Sequence, residues 1–144
     1  MTVHFECLSP VTVSLRKRLR LLIHRILAGE NHDKWEMTLI LTDSRHLRRL
    51  NRRYRKKDLV TDVISFALRD GVDSQFGGKS LGDVFISLPR ARRQAREFGV
   101  RPQEEICRLA VHGTLHLLGY DHHRSGPARL MRNKENEYLA TLKT

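Results

Sequence analysis

Apolar residues along the chain change period repeatedly, and each change marks an element. "TVHFEC", 2–7, alternates polar and apolar positions and predicts a strand that Ser9-Pro10 ends. Over 12–28, Leu15, Leu19, Leu22, Ile23 and Ile26 recur at helical spacing, with Arg16, Lys17, Arg20 and Arg25 mostly on other faces. Gly29 stops this amphipathic helix. "EMTLILT", 36–42, is β-rich and apolar without strict alternation, the pattern of an interior strand. Asp43 or Ser44 is placed to cap a helix over 45–53. "TDVISFAL", 61–68, and "LGDVFISL", 81–88, are two further strands, joined by the glycine-rich 70–80.

Three helices follow. Pro89 opens one over 89–98 that Gly99 closes, and Pro102 with Glu104 and Glu105 opens the next, running to Leu118 before Gly119. The last spans 127–142. The order β-α-β-α-β-β-α-α-α predicts one α+β domain over 1–144: a mixed four-stranded sheet packed by about five helices. There is no internal repeat and no apolar run of transmembrane length. The first ten residues lack the basic start and apolar run of a secretion signal. Cys7 and Cys107 have neither metal-site nor disulfide-scaffold spacing, so reduced thiols in a cytoplasmic protein are expected.

Charge changes the picture. Lys and Arg number 27 against 16 Asp and Glu, a net charge of +11. Such a field draws polyanions, and nucleic acid is the leading partner by charge. The basic residues cluster. Residues 45–57, "RHLRRLNRRYRKK", contain Arg52, Arg53, Arg55, Lys56 and Lys57, and the 89–98 helix carries Arg92 and Arg93.

The chemistry is concentrated in "VHGTLHLLGYDHH", 111–123. His112 and His116, four residues apart on a helix, project from one face and can reach one ion. Gly119 reverses the chain and brings His122 back toward that face, while His123 is a competing ligand that spacing does not eliminate. Three imidazoles leave a coordination position open, as catalytic zinc sites do, which puts a metal site at the end of a central helix. Helical zinc peptidases with this spacing carry a glutamate directly after the first histidine as general base. Here that position is Gly113, which transfers no proton, so peptide hydrolysis by that route is not expected. His4, His24, His32 and His46 are scattered and read as ordinary surface or boundary residues.

These residues resemble the YbeY family, metal-dependent endoribonucleases of ribosomal RNA maturation. "HGTLHLLGYDH", 112–122, is similar to its H-G-x-L-H-L-x-G-Y-D-H motif, "LNRRYRKKDLVTDVISFAL", 50–68, to its upstream segment, and "LGDVFIS", 81–87, to its G-D-I-x-I-S strand. The resemblance implies one divalent ion, zinc, on His112, His116 and His122, and a role in activity for Arg55. A guanidinium there suits bidentate capture of a phosphate. Val60 and Ala67 replace two family prolines, and the commonly acidic segment after His122 is basic here. The function expected is single-strand-specific cleavage of RNA in rRNA maturation and ribosome quality control. Arg52, Arg53, Lys56, Lys57, Arg92 and Arg93 are expected to bind RNA, and the small ribosomal subunit or its proteins to be a partner. The rival expectation is a non-catalytic assembly factor whose metal is structural. The sequence leaves open whether water or the RNA 2′-OH attacks, what acts as general base, and the oligomeric state.

Overall fold

The computed structural model describes residues 2–7, 11–55, 63–67, 79–120 and 125–143. Its elements are β1 (Thr2–Cys7), α1 (Val13–Gly29), β2 (Trp35–Thr42), α2 (Ser44–Arg55), β3 (Val63–Ala67), β4 (Lys79–Ser87), α3 (Leu88–Phe98), α4 (Pro102–Leu117) and α5 (Ser125–Ala140), with a 3-10 turn over Thr141–Lys143. The strands form one mixed sheet in the order β1-β2-β4-β3. β1 and β4 flank β2 in parallel, and β3 runs antiparallel to β4. Parallel neighbours need a crossover, and α1 supplies the one between β1 and β2. β2 lies inside the sheet, which is why its residues are buried on both faces and Leu39, Ile40 and Leu41 follow one another without a polar break.

Lys79 and Ser80, expected in the glycine-rich connection, belong to β4, where they pair with Trp35 and Glu36. Ser80 and Asp83 lie opposite Glu36 and Thr38, so β4 carries one residue more than β2 over this interval. Gly82, at φ 132, sits in the bulge and takes a backbone conformation that other residues avoid.

The helix ends follow local chemistry. The Thr12 hydroxyl accepts from the Leu15 N–H at 3.1 Å to open α1. Of the two candidates for α2, Asp43 is the cap: its carboxylate accepts from the His46 N–H at 2.7 Å. The Ser87 hydroxyl accepts from the Arg90 N–H at 3.3 Å, which moves the start of α3 to Leu88 and leaves Pro89 in its first turn. Gly99, left-handed at φ 67, closes α3. α5 begins at Ser125, two residues before the expected start, and gives way to the 3-10 turn after Ala140.

The core joins α1 to the sheet and to α4. Leu19, Leu22, Ile23, Ile26 and Leu27 of α1 are fully buried among Met37, Leu39 and Leu41 of β2 and Leu109, Ala110, Val111 and Leu115 of α4. Each such side chain contributes roughly 1.5–3 kcal/mol by leaving water. α4 comes closest to the sheet at Gly113. A Cβ there would lie 2.5 Å from Val84 Cγ1, 3.2 Å from Ser65 Oγ and 3.3 Å from Val63 Cγ2. The Ser65 hydroxyl uses the same gap to donate to the Gly113 carbonyl at 3.2 Å.

The next residue of β4, Phe85, meets the ring of His46 on α2 edge-on, with centroids 5.9 Å apart. Successive strand side chains point to opposite faces, so α4 and α2 cover opposite faces of the sheet. His46, expected as a surface or boundary residue, is half-buried and also bonds to the Thr42 hydroxyl through Nδ1 at 3.0 Å.

Gly113→Ala inserts a methyl into a filled contact. It is expected to cost roughly 1–3 kcal/mol of stability, read as a lowered midpoint in urea unfolding. An unchanged midpoint would mean that α4 can lift from the sheet freely.

Candidate functional site

α4 is buried almost throughout, and its exceptions are ordered. Between Glu105 and Leu117 only Arg108, His112 and His116 are partly open, at i, i+4 and i+8, so they form one seam. The helix thus holds two imidazoles and a guanidinium on a face whose backbone is fixed by packing on the other side.

Each imidazole is oriented through Nδ1. His112 Nδ1 lies 2.6 Å from Glu135 Oε1 on α5, and His116 Nδ1 lies 3.1 Å from the Tyr120 carbonyl oxygen. An ionised carboxylate and a carbonyl can only accept, so both Nδ1 atoms donate and both rings carry their lone pair on Nε2. This is the tautomer that a histidine ligand needs, with its other nitrogen tied to a carboxylate or carbonyl. The donor pair therefore fits a borderline-soft divalent cation. Among the described residues no larger group of His, Cys, Asp and Glu is placed to hold a metal. His122 and His123 lie outside the described residues.

The group holding His116 is itself held. After Leu118 the chain turns through Gly119, at φ 101, and the Tyr120 N–H donates back to the Leu115 carbonyl at 3.1 Å. The Tyr120 hydroxyl then donates to Glu30 Oε1 at 2.5 Å. Glu30, just past the end of α1, also accepts from the Tyr138 hydroxyl at 2.6 Å and pairs with Lys134 Nζ at 3.5 Å, both on α5. Gly29 makes the approach possible, because a Cβ there would overlap the Tyr138 hydroxyl.

Burial pushes the Glu30 carboxyl up, but the two tyrosine hydroxyls and Lys134 outweigh it and hold the group below its ordinary value of 4.5. Burial, followed by the bond to Glu30, pushes Tyr120 up to about 12 and Tyr138 higher still. Burial also raises the Cys107 thiol to about 11, leaving it protonated and poorly nucleophilic.

A depression of about 200 Å³ opens beside His112, lined by Arg108, Ala128, Met131, Arg132 and Glu135. Arg108 is committed in part: its guanidinium grips buried Glu105 with two bonds of 2.6 and 2.9 Å. Of the residues expected to bind RNA, Arg52 is exposed on α2, and Arg92 and Arg93 are exposed on α3. Arg53 and Arg55 fall within the last turn of α2, and Lys56 and Lys57 lie outside the described residues.

Sequence reasoning missed Glu135 and Glu30. Glu135 had a signal: it falls between Met131 (i−4) and Tyr138 (i+3), the buried positions of α5, where an acid needs a partner. Glu30 had none, since its tyrosine partners are 90 and 108 residues away.

The fold and the site together define an α+β domain whose central helix offers two Nε2 lone pairs from a tightly seated face. The family model described as Endoribonuclease YbeY matches residues 9–143, and the chain belongs to that family. It is similar to proteins named Endoribonuclease YbeY from Pelotomaculum thermopropionicum and Geobacter metallireducens. The first is 46% identical over 81% of this chain and 79% of the relative; the second is 43% identical over 87% and 85%. The solution structure of TM1509 from Thermotoga maritima superposes with a TM-score of 0.67 at 25% identity, covering 96% of this chain and 87% of that one.

Because its native pKa is lowered, Glu30 contributes stability that is fully present above about 4.5 and lost as pH falls through the native value. Wild type is expected to be more stable than Glu30→Gln in urea at pH 7, with the gap narrowing once the pH passes below 4.5. A gap that stays constant down the acid limb would show that the carboxylate charge is not what the tyrosines bind.

Proposed function

We propose that this chain is a single-strand-specific, metal-dependent endoribonuclease acting in ribosomal RNA maturation and ribosome quality control. The observation that carries the reading is the matched pair of Nδ1 bonds on His112 and His116, set within the family's histidine motif. The relatives' shared name supports the reaction class. His112, His116 and His122 would hold one divalent ion, zinc in the first instance. When bound, that ion supplies a Lewis acid that acidifies water or polarises a phosphoryl oxygen.

The chain's own residues do the rest. Glu135 and the Tyr120 carbonyl keep the two rings aimed and in the ligating tautomer. Arg55 clamps the scissile phosphate and stabilises charge building on its oxygens. Arg52, Arg53, Lys56 and Lys57 around the end of α2, with Arg92 and Arg93 on α3, hold flanking phosphates. Gly113 has no proton to give, so the residue after the first histidine takes no part in proton transfer. The substrate is ribosomal RNA, the partner the small ribosomal subunit or its proteins, and the compartment the cytoplasm.

Metal content and RNA cleavage measured side by side test this. His116→Ala is expected to lose both. Arg55→Ala is expected to keep fold and metal while losing about 10²–10³-fold in rate. Glu135→Gln should weaken metal affinity about 10–100-fold without unfolding the protein. A folded, metal-loaded Arg55→Ala enzyme cutting at full speed would overturn the clamp, and full activity of stripped protein would overturn the role of the ion. Product ends separate the two nucleophiles: a 2′,3′-cyclic phosphate marks attack by the 2′-OH, and a 5′-phosphate with a 3′-OH marks attack by water. RNA with a 2′-deoxy sugar at the cut survives only under the first route.

A further inference from the structure

Some of the apolar surface stays open to solvent. Phe98 and Val100, at and just past the end of α3, are 61% and 39% exposed. With Leu139 and Leu142, which pack against the core only in part, they line an open groove of about 300 Å³. Single exposed apolar residues are ordinary, but four that meet in one concave place mark a binding surface. Arg18 of α1 and Glu104 of α4, both exposed, stand on its walls.

The groove is held in shape. The Val100 N–H donates to the Ala95 carbonyl at 2.9 Å and the Gly99 N–H to the Arg96 carbonyl at 3.4 Å, so backbone bonds close the turn that carries Phe98 and Val100. Arg108, whose guanidinium is gripped by Glu105, lines the groove and also the depression beside His112. The two recesses therefore adjoin at Arg108. Glu104 lies two turns of α4 before His112, about 12 Å along the helix axis. At about 3.4 Å per stacked nucleotide, a strand crosses that span in a few nucleotides.

The chemistry of the walls selects the occupant. Phe98 offers a ring to stack on, Arg18 a planar cation, and Glu104 a carboxylate that accepts from an exocyclic amine. A nucleobase brings the complement of each: a flat apolar face and an edge of donors and acceptors. A base within a duplex has its faces covered by neighbours and its pairing edge in use, so it cannot enter. Lys17, Arg96 and Arg101 are exposed within two residues of Arg18, Phe98 or Val100 and add positive charge for the phosphates of the same strand. An acidic peptide would meet the Glu104 carboxylate instead.

We propose that this groove is a base-binding subsite, in which Phe98 stacks one unpaired nucleobase of a strand whose cleaved bond lies at the histidines, so that single strands are admitted and duplexes turned away. That the strand is a substrate rests on the nuclease reading; that the groove takes an unpaired base does not.

The test uses Phe98→Leu, which keeps an apolar side chain at an exposed position and is expected to leave the thermal midpoint and metal content unchanged. Its affinity for a short single-stranded RNA, read by fluorescence anisotropy, is expected to fall about tenfold, the loss of one stacked base. Duplex RNA should bind wild type and variant equally. The slope of log K against log salt should stay at its wild-type value, because no phosphate contact is removed. An abasic nucleotide moved along the oligonucleotide should weaken wild-type binding about tenfold at one position, and at that position should cost Phe98→Leu nothing further.

Unchanged affinity of Phe98→Leu for single strands overturns the proposal. So does an equal abasic loss in wild type and variant, or an equal loss on single strands and duplex. An acidic amphipathic peptide that binds wild type but not Phe98→Leu, with RNA affinity the same in both, would assign the groove to a protein partner and also overturn it. If the abasic effect depends on Phe98 yet wild type cuts nothing, the base site stands and the nuclease reading falls.

Discussion

The missing side chain at Gly113 sets the position of everything else at the site. It lets α4 settle onto Val63, Ser65 and Val84 with no room for even a methyl group. That contact seats one side of the helix on the sheet and leaves the Arg108-His112-His116 seam as its only partly open face between Glu105 and Leu117. It also explains the departure from the helical peptidase pattern. A glutamate in place of Gly113 would have to enter the filled space between helix and sheet, where an unpaired carboxylate costs far more than a hydrogen bond returns. The residue that would make this motif a peptidase site is excluded by packing.

Once α4 is seated, orientation passes outward through hydrogen bonds. Glu135 aims His112, and the Tyr120 carbonyl aims His116. Tyr120 in turn is pinned to Glu30, which also binds Tyr138 and Lys134. Two elements remote from the histidines in sequence, the end of α1 and the body of α5, therefore set the direction of the imidazole rings. The carboxylate in the middle is half-buried yet fully engaged, the condition under which a polar network adds order instead of cost.

How much of this could be read from the chain depended on the range of the interaction. Helical periodicity gave α1, and its buried face holds Leu15, Leu19, Leu22, Ile23 and Ile26 as the spacing required, with Leu27 beside them. The consecutive apolar residues Leu39, Ile40 and Leu41 of β2 placed it inside the sheet. Local caps shifted boundaries by a residue or two, as Ser87 did for α3. Lys79 and Ser80 looked like loop because their reason for being strand is pairing with Trp35 and Glu36, across more than forty residues. At the site, the i, i+4 histidines were legible because helix geometry alone brings them together. An acid among the buried positions of α5 was a local anomaly that went unread. Glu30 was not legible, since nothing near it in the chain announces a tyrosine ninety residues on.

The route from Glu30 to His116 runs against the order in which a ribosome makes the chain. α1 is made early and α4 much later, while Lys134, Glu135 and Tyr138 follow last of all in α5. Until α5 has emerged and docked, Glu30 lacks two of its partners and His112 lacks its carboxylate. The nascent protein thus carries His112 unaimed, and Tyr120 on a less firmly held carboxylate, until α5 has docked.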